Sequence, residues 1–297
     1  TRFVLMNLEG YKPIDHRCVE MLEDSWICSR LSLTINEVNK NLAAYRFSDV
    51  IRSLYDFLWR DYCDWYLELA KPRLQEKRKR QGVQNILVLV LENALRLLHP
   101  VMPFITESLW QALPKSQASQ SSIMISDFPK DGVFKRDVQA EEDMVFMQEL
   151  ITSVRTIRSE MNIPNSKSIR IILSTDDTTC RKKLNIFSDS IENLTKAESI
   201  DIGESLSPNG MCGSAAVNGV EIFVPLDGLV DLSAERKRLE KELDKFEKLT
   251  KSIEGKLNNE KFVQNAPSNI VQGERDRYRE YSDTVERIRA NIIRLGQ

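Results

Sequence analysis

The sequence predicts a mainly α-helical protein with three parts: a helical bundle, a small α/β element and a C-terminal antiparallel coiled-coil hairpin. Apolar residues recur at helical spacing from the first residues to about residue 114. A β-branched stretch follows later, with an Asn-Gly pair between two apolar runs. Two highly charged segments with heptad spacing of apolar residues come last. We place the boundaries of the three parts at residues 1–137, 138–229 and 230–297.

The charge balance limits the kind of partner that the whole surface can bind. Of the 297 residues, 41% are hydrophobic and 29% are charged, and the formal net charge is −2. These values are typical of a helix-rich globular protein. A protein that binds nucleic acid over its whole surface is usually basic. Any RNA contact is therefore expected from local basic patches, and no contact with DNA is expected.

Cysteine usage and hydropathy favour a cytoplasmic protein without a metal site. The five cysteines are scattered, none forms a C-x-x-C pair, and the sequence has only two histidines. We therefore expect reduced thiols and no metal ligands. No apolar run reaches the roughly 18 residues that span a bilayer, and we find no signal peptide. Because the chain opens with a helix already in progress, we expect it to be a C-terminal piece of a longer protein.

The most aromatic helix of the predicted bundle covers about residues 47 to 74. Its predicted apolar seam advances in steps of three and four through Phe47, Ile51, Leu54, Leu58, Tyr62, Trp65 and Leu69. Trp59 and Tyr66 lie off this seam, and we expect them to be its exposed aromatic residues. Pro72 is expected to end the helix or to kink it.

Further helices complete a bundle of four or five helices. Helical spacing predicts them at about residues 24–44, 84–98 and 104–113. Pro100 and Pro103 separate the last two, because proline interrupts helical hydrogen bonding. A basic tract, residues 77–80, precedes the helix at 84–98 and is a candidate for phosphate contact.

The middle part combines a long helix with a small sheet. Residues 123–128 are predicted to be extended, and residues 140–161 form a helix. The apolar stripe of this helix contains Met144, Met147, Leu150, Ile151, Val154, Ile157 and Met161. Strands are predicted at 168–173 and on both sides of Asn218-Gly219, the strongest short hairpin signal. Residues 178–193 between them are predicted to be helical.

Two heptad seams predict the antiparallel hairpin. The first contains Leu232, Leu239, Leu243, Phe246, Thr250, Ile253 and Leu257. The second contains Val271, Tyr278, Tyr281, Val285, Ile288, Ile292 and Leu295. The connector at 258–269 includes Pro267 and several asparagines, which suits a reversal of direction. With about 28 residues in each arm, the rod is about 40 Å long.

Catalytic motifs are absent from the sequence. We find no dinucleotide fingerprint, no P-loop, no nucleophile elbow and no H-E-x-x-H pair. Acidic pairs are abundant, but at this charge density they are expected on solvated helix faces. We therefore assign no catalytic residue and no metal ligand.

Five segments resemble the valyl-tRNA synthetase family of the class I aminoacyl-tRNA synthetases. They are residues 45–74, 97–110, 155–164, 219–229 and 239–267. The resemblance covers essentially the whole chain, and the three modules stand in the order that the family has. It implies an anticodon-binding bundle followed by a coiled-coil arm that reaches the outer corner of the tRNA.

The resemblance also implies the activity and the partners of the parent protein. A catalytic domain outside this sequence would bind ATP, activate valine and charge tRNA-Val in protein biosynthesis, and an editing domain would accompany it. The segment in hand is then inactive alone and needs no cofactor of its own. It is expected to act as a cytoplasmic monomer with tRNA-Val as its partner.

Candidate tRNA-binding residues are cationic or aromatic side chains at the predicted bundle ends and on the arm. In the bundle they are Arg2, Tyr11, Lys12 and Arg46, and in the arm Lys251, Lys256, Arg275 and Arg277. Arginine suits such a role because it can pair with phosphate and also stack on bases. The resemblance places an RNA-facing arginine at position 277.

Two alternatives stay open at this point. The first is a helical protein–protein interaction module that dimerises through the coiled coil, and the heptads and the acidic pI of about 5.9 favour it. The second is the same tRNA-binding module from an isoleucine- or leucine-type synthetase. The absence of clustered cysteines argues against the isoleucine type, which often ends in a cysteine-rich zinc element.

Overall fold

A computed structural model describes most of the chain as two compact units. The described residues are 1–12, 21–114, 120–132, 134–226, 228–229, 232–258 and 268–294. Unit 1 comprises Thr1–Leu150 with Asp189–Leu194, and unit 2 comprises Ile151–Ser188 with Thr195–Gln297. None of the described helices is long and apolar enough to cross a membrane. The three-part boundaries from the sequence stay a prediction.

Unit 1 is a helical bundle, as the sequence predicted. Its helices are α1 Arg2–Met6, α2 Leu22–Ala43, α3 Phe47–Asp56, α4 Leu67–Gln75, α5 Arg80–Leu98, α6 Pro103–Gln111 and the first part of α7 Val138–Glu160. A π-helical segment, Phe57–Tyr66, joins α3 to α4 without a break. The extended conformation predicted from residue 123 is wrong at its start, because Ile123–Ile125 forms a 3₁₀ turn capped by the Ser122 hydroxyl.

The π-helical segment changes which side chains the long helix buries. A π turn holds about one residue more than an α turn, so the buried face shifts along the sequence. The buried positions step from Leu54 to Phe57 and then by five residues to Tyr62 and by four to Tyr66. The prediction that Tyr66 is exposed is therefore wrong, whereas Trp59 is 57% exposed, as predicted.

The start of this helix also departs from the predicted seam. Val50 and Leu54 form the buried face of α3, and Phe47 and Ile51, which the seam included, are exposed. Pro72 does not end the helix, since α4 continues to Gln75.

A buried ionic network joins the start of α2 to the end of α4. Arg73 donates two hydrogen bonds to Asp24, with Nη1–Oδ1 at 2.9 Å and Nη2–Oδ2 at 2.6 Å. The Tyr66 hydroxyl donates to Asp24 Oδ1 at 2.7 Å. All three side chains are buried, so the charges of Asp24 and Arg73 offset each other away from bulk solvent.

Polar contacts at both ends show that α2 and α5 run in the same direction. At one end, Asp24 holds Arg73 at the end of α4, and α5 begins only a few residues later. At the other end, the Asn39 amide donates to the Pro129 carbonyl, and Arg96 donates to the Asp127 carbonyl. We call the end with the starts of α2 and α5 the amino end of the bundle, and the opposite end the carboxyl end.

Unit 2 contains a four-stranded mixed sheet in the order β2-β1-β4-β3. The strands are β1 Ile169–Ser174, β2 Ala197–Gly203, β3 Cys212–Val217 and β4 Val220–Pro225. Helix α8 Thr178–Thr195 lies between β1 and β2 in the chain, and its residues Asp189–Leu194 belong to unit 1. β1 pairs parallel with β2 and antiparallel with β4. The hairpin predicted at Asn218-Gly219 is confirmed, and both turn residues have positive φ, as a type I′ turn requires.

Helix α7 confirms its predicted apolar stripe, because every residue of the stripe is buried. Within unit 2, Ile157 on this helix lies against Gly213 on β3. A Cβ atom at position 213 would come to 2.4 Å from Ile157 Cγ2, which is closer than any real contact of that kind. Only glycine therefore fits at this point of the sheet.

Helices α9 Leu232–Leu257 and α10 Ser268–Arg294 form the predicted antiparallel hairpin. The Phe246 and Tyr281 rings meet edge to face at 5.6 Å, and Arg289 Nη2 lies 2.7 Å from Glu247 Oε1. Seam residues Ile253, Val271, Val285 and Ile288 are buried, as predicted. The side chains of Leu232, Leu239 and Leu295 and the connector at 259–267 lie outside the described residues.

Candidate functional site

The segment at residues 7–12 is fixed against the first turns of α5 at the amino end of the bundle. The Gln84 amide donates to the carbonyl oxygens of Asn7 at 2.7 Å and Glu9 at 3.2 Å. The Tyr11 hydroxyl lies 3.4 Å from Asn85 Oδ1. This anchoring holds the backbone of the segment in one position and leaves the neighbouring Lys12 exposed.

The environment of Tyr11 keeps its hydroxyl protonated. Burial raises the pKa of the Tyr11 phenol above its ordinary value of 10.0, and the negative charge of Glu92 adds to the increase. The phenol is therefore a hydrogen-bond donor throughout the neutral range. Its ring is half-buried, so one part of it remains accessible to a ligand.

Basic side chains gather at the same end of the bundle. Arg80 Nη2 lies 4.0 Å from Glu9 Oε2, which places the end of the basic tract beside the anchored segment. Lys79 pairs with Glu76 at 2.9 Å, but Lys77 and Arg78 are exposed and pair with no described residue. With exposed Lys12, the amino end thus presents cations in solvent that pair with no described residue, and these cations suit the phosphates of a polyanion.

The other two bundle candidates are not anchored in the same way. Arg2 is exposed on α1, which packs against α5. Arg46 precedes α3 and follows the end of α2, so it lies at the carboxyl end. Because α2 has 22 residues, about 33 Å of helix separates Arg46 from the amino end. The structure does not bring Arg46 together with Tyr11 and Lys12.

In the arm, the structure brings two candidates together around a buried carboxylate. Glu274 is 9% exposed, and its oxygens lie 3.6 Å from Lys256 Nζ and 3.3 Å from Arg277 Nη1. The cluster carries a net charge of about +1, and the guanidinium of Arg277 remains 64% exposed. Lys251 and Arg275 are exposed and pair with no described residue.

Sequence reasoning missed Glu274. The predicted seam stepped directly from Val271 to Tyr278 and passed over the position between them. In a heptad pattern an inward position follows three or four residues after Val271, so the spacing could have identified Glu274 as a charged residue on the apolar seam.

Exposed aromatic rings on the long helix of the bundle form a second missed feature. Tyr55 and Trp59 are both more than half exposed and stack on each other, with centroids 6.2 Å apart and planes at 9°. Each ring keeps one face for another flat group. Neither was among the candidate tRNA-binding residues, although Trp59 was predicted to be exposed, because the sequence alone does not show that the two rings stack on each other.

Two regions of the chain match known families. Residues 24–173 match the anticodon-binding domain of tRNA ligases, and residues 231–296 match the valyl-tRNA synthetase tRNA-binding arm.

Among the described residues, no group of three or more His, Cys, Asp or Glu side chains is placed to hold a metal ion.

Similar proteins include valine–tRNA ligases from several bacteria. The Enterococcus faecalis protein is 37% identical over 99% of this chain and 34% of its own length. The Listeria innocua protein is 41% identical over 95% of this chain and 32% of its own length. The Bacillus subtilis protein is 37% identical over 95% of this chain and 32% of its own length. The chain thus spans about a third of the length of the curated relatives that it matches.

Proposed function

Because this chain belongs to the family of anticodon-binding domains of tRNA ligases, we propose that it is the tRNA-recognition part of a valine–tRNA ligase. The parent enzyme would charge tRNA-Val with valine at the expense of ATP in the cytoplasm. Catalysis and ATP binding would belong to the part of the protein that this chain does not cover. The segment itself would be a monomer that binds tRNA without a cofactor and without catalytic activity.

One observation carries this proposal: an anticodon-binding match and a tRNA-binding-arm match occur in one chain. The arm match distinguishes valine from isoleucine and leucine enzymes, because its family is named for valyl-tRNA synthetase. The names of the similar proteins point the same way.

The amino end of the bundle offers the chemistry that an RNA loop needs. Exposed Lys12, Lys77 and Arg78 would contact phosphates and set the register of the loop, without reading its sequence. The Tyr11 phenol, whose proton is directed to Asn85, could accept a hydrogen bond from a base edge, and the accessible part of its ring would stack on a base. Arg2 is exposed and could take part from α1, whereas Arg46 would act apart from this group.

The arm would supply a second contact through Arg277. Glu274 holds the guanidinium from one side, so the side chain loses less freedom when it binds. Lys251, Lys256 and Arg275 add positive charge along the arm. Two weak contacts on one chain act at a high effective concentration, so together they bind more tightly than either alone.

A filter-binding titration at stated salt tests the proposal. The chain should bind tRNA-Val more tightly than other tRNAs, and the logarithm of its affinity should fall linearly with the logarithm of salt concentration. Arg277→Gln should weaken binding several-fold and reduce the salt slope by about 1. Arg289→Gln is the matched control, because Arg289 lies on the same helix but pairs with Glu247.

Two outcomes would contradict the proposal. One is absent or non-selective binding by the chain at moderate salt while the intact parent enzyme remains selective. The other is concentration-dependent dimerisation through residues 230–297 in sedimentation, without affinity for RNA. The second outcome would favour the protein–protein interaction module instead.

A further inference from the structure

The corner between α5 and α6 exposes large apolar side chains that the bundle does not use. Together with the neighbouring 3₁₀ turn they form what we call the corner patch: Val101, Met102, Phe104, Ile105, Met124 and Ile125. Their exposed fractions run from 41% to 91%, with Phe104 the most exposed. Single exposed apolar residues are ordinary, but a cluster of this size marks an interaction surface.

The corner patch has a rigid base. His99 Nδ1 and Thr106 Oγ1 are 2.8 Å apart and tie the end of α5 to the start of α6. The Glu107 carboxylate accepts hydrogen bonds from the Ser122 hydroxyl at 2.8 Å and the Ile123 amide at 3.1 Å, which fixes the 3₁₀ turn beside α6. The exposed side chains therefore stand on a preformed surface.

The charges of the corner patch itself disfavour RNA as its occupant. Residues 97–114 and 120–126 contain neither lysine nor arginine. Hydrogen bonds, first from the Gln111 amide, lower the pKa of Glu107 and keep it negative. Arg96, the nearest preceding cation, already donates to Glu92 and to the Asp127 carbonyl. A phosphate backbone needs cations, and this surface offers it a carboxylate instead.

The position of the corner patch separates it from the candidate RNA surface. It follows the end of α5, so it lies at the carboxyl end of the bundle, together with exposed Tyr45 and Phe47. The exposed cations Lys12, Lys77 and Arg78 lie at the amino end. The corner patch itself therefore suits an apolar protein surface, whereas the amino end suits a polyanion; exposed Arg46, before α3, is a cation of the carboxyl end outside the corner patch.

We propose that the corner patch packs against the part of the parent protein that this chain does not cover. The chain spans about a third of its curated relatives, so a large body of protein is available to cover it. Interfaces between the domains of one chain bury apolar side chains of this kind. Unlike a contact with RNA, such an interface does not require lysine or arginine side chains. The inference rests on the proposed function only in taking the chain as part of a longer ligase.

Methionine oxidation tests this inference without a mutation. The 297-residue chain and the full-length parent protein are exposed to the same dose of hydroxyl radicals, and each methionine is quantified by mass spectrometry. Met102 and Met124 should oxidise at least about tenfold more slowly in the parent protein, because oxidation follows exposure. Met21, exposed at the amino end, is the reference, and buried Met144 and Met147 report that the chain is folded.

Each other outcome overturns the inference. Equal oxidation in the chain and the parent protein would mean that the patch stays in solvent. Protection in the isolated chain on adding tRNA would assign the patch to RNA, and protection that grows with chain concentration would assign it to a second copy. The oxidation experiment requires no RNA binding, so its result is independent of the tRNA titration. Protection of the corner patch can be observed if the titration fails, and the titration can succeed if the corner patch is not protected.

A substitution supplies a second measurement. Phe104→Ser changes a side chain that is 91% exposed in the chain, so the melting temperature of the isolated chain should stay within error. The melting temperature of the parent protein should fall, because the same change removes an anchor from a buried interface. Equal melting temperatures for the two parent proteins would overturn the inference.

Discussion

Replacing Asp24 by asparagine should strongly destabilise the bundle. Asp24 is fully buried and accepts two hydrogen bonds from Arg73 and one from Tyr66. The asparagine side chain would keep the shape of the aspartate and lose its charge. The guanidinium of Arg73, itself 5% exposed, would then be buried without a counter-charge.

The expected magnitude follows from burial and distance. Two unit charges about 4 Å apart attract by about 4 kcal/mol at an effective dielectric constant of about 20. Removing one partner of a buried pair typically costs about 3–5 kcal/mol. Since an asparagine oxygen can still accept one of the hydrogen bonds, we expect a loss of about 3 kcal/mol in the free energy of unfolding. Tyr66→Phe, which removes one hydrogen bond to a charged group, should cost about 1.5–3 kcal/mol.

Urea unfolding followed by tryptophan fluorescence measures this loss. All four tryptophans, Trp26, Trp59, Trp65 and Trp110, lie in unit 1, so the signal reports the bundle. Glu68→Gln is the matched control, because Glu68 pairs with Lys71 in solvent and is about half exposed. This change should alter stability by no more than about 0.5 kcal/mol. If Asp24→Asn has as small an effect as Glu68→Gln, the network does not stabilise the bundle as argued.

Three further predictions concern other parts of the fold. Gly213→Ala should destabilise unit 2 by about 1–3 kcal/mol, because the added methyl group overpacks against Ile157, and hydrogen exchange in β3 and β4 should become faster. Adding Ile157→Ala to the same chain should relieve the clash. If the effects of the two changes are simply additive, the predicted clash is refuted. The hydrogen bond from Ser25 lowers the pKa of Asp137 below 3.8, so this carboxylate adds stability above that pH and loses the contribution as the pH falls through its lower folded value. The stability difference between wild type and Ser25→Ala should therefore vanish in acid, and a difference that persists there would contradict the assignment. Glu274→Leu should raise the thermal midpoint of the arm in circular dichroism, since an apolar residue replaces a buried charge on the seam. The affinity for tRNA should fall, because Arg277 loses the carboxylate that holds its guanidinium. A lower midpoint would show that the ion pairs of Glu274 stabilise the hairpin.

The elements that the sequence predicted well depend on local signals. Helix α7 places its apolar residues at regular helical spacing, and any core that buries the helix must bury that stripe. The Asn218-Gly219 turn needs two residues that accept positive φ, which the two residue types themselves supply. Strand β2 was missed because it lies at the sheet edge and its alternating polar residues give no continuous apolar run.

The valyl-tRNA synthetase family was also predicted from the sequence, and the matches over residues 24–173 and 231–296, together with the similar valine–tRNA ligases, confirm it. Segments along the whole chain carried that prediction, so it did not depend on any one residue. The choice of site residues, in contrast, depended on individual residues. Charge and residue type could select Lys12 and Arg46 as candidates, and the family resemblance added Arg277. None of these signals identifies the neighbours of a residue in space, and the roles of the three residues in binding stay predictions.

The sequence by itself determined the order of helices, hairpin and arm, because periodicity and turn chemistry act between residues that are close in the chain. Only the tertiary structure decided what those elements do to each other. It buried Tyr66 against Asp24, because a π-helical segment shifts the buried face. It placed Arg46 and Lys12 at opposite ends of the bundle, because α2 and α5 run parallel. It also brought Lys256 and Arg277 together around Glu274, because the arm folds back on itself. These contacts join residues far apart in the chain, so no local pattern encodes them.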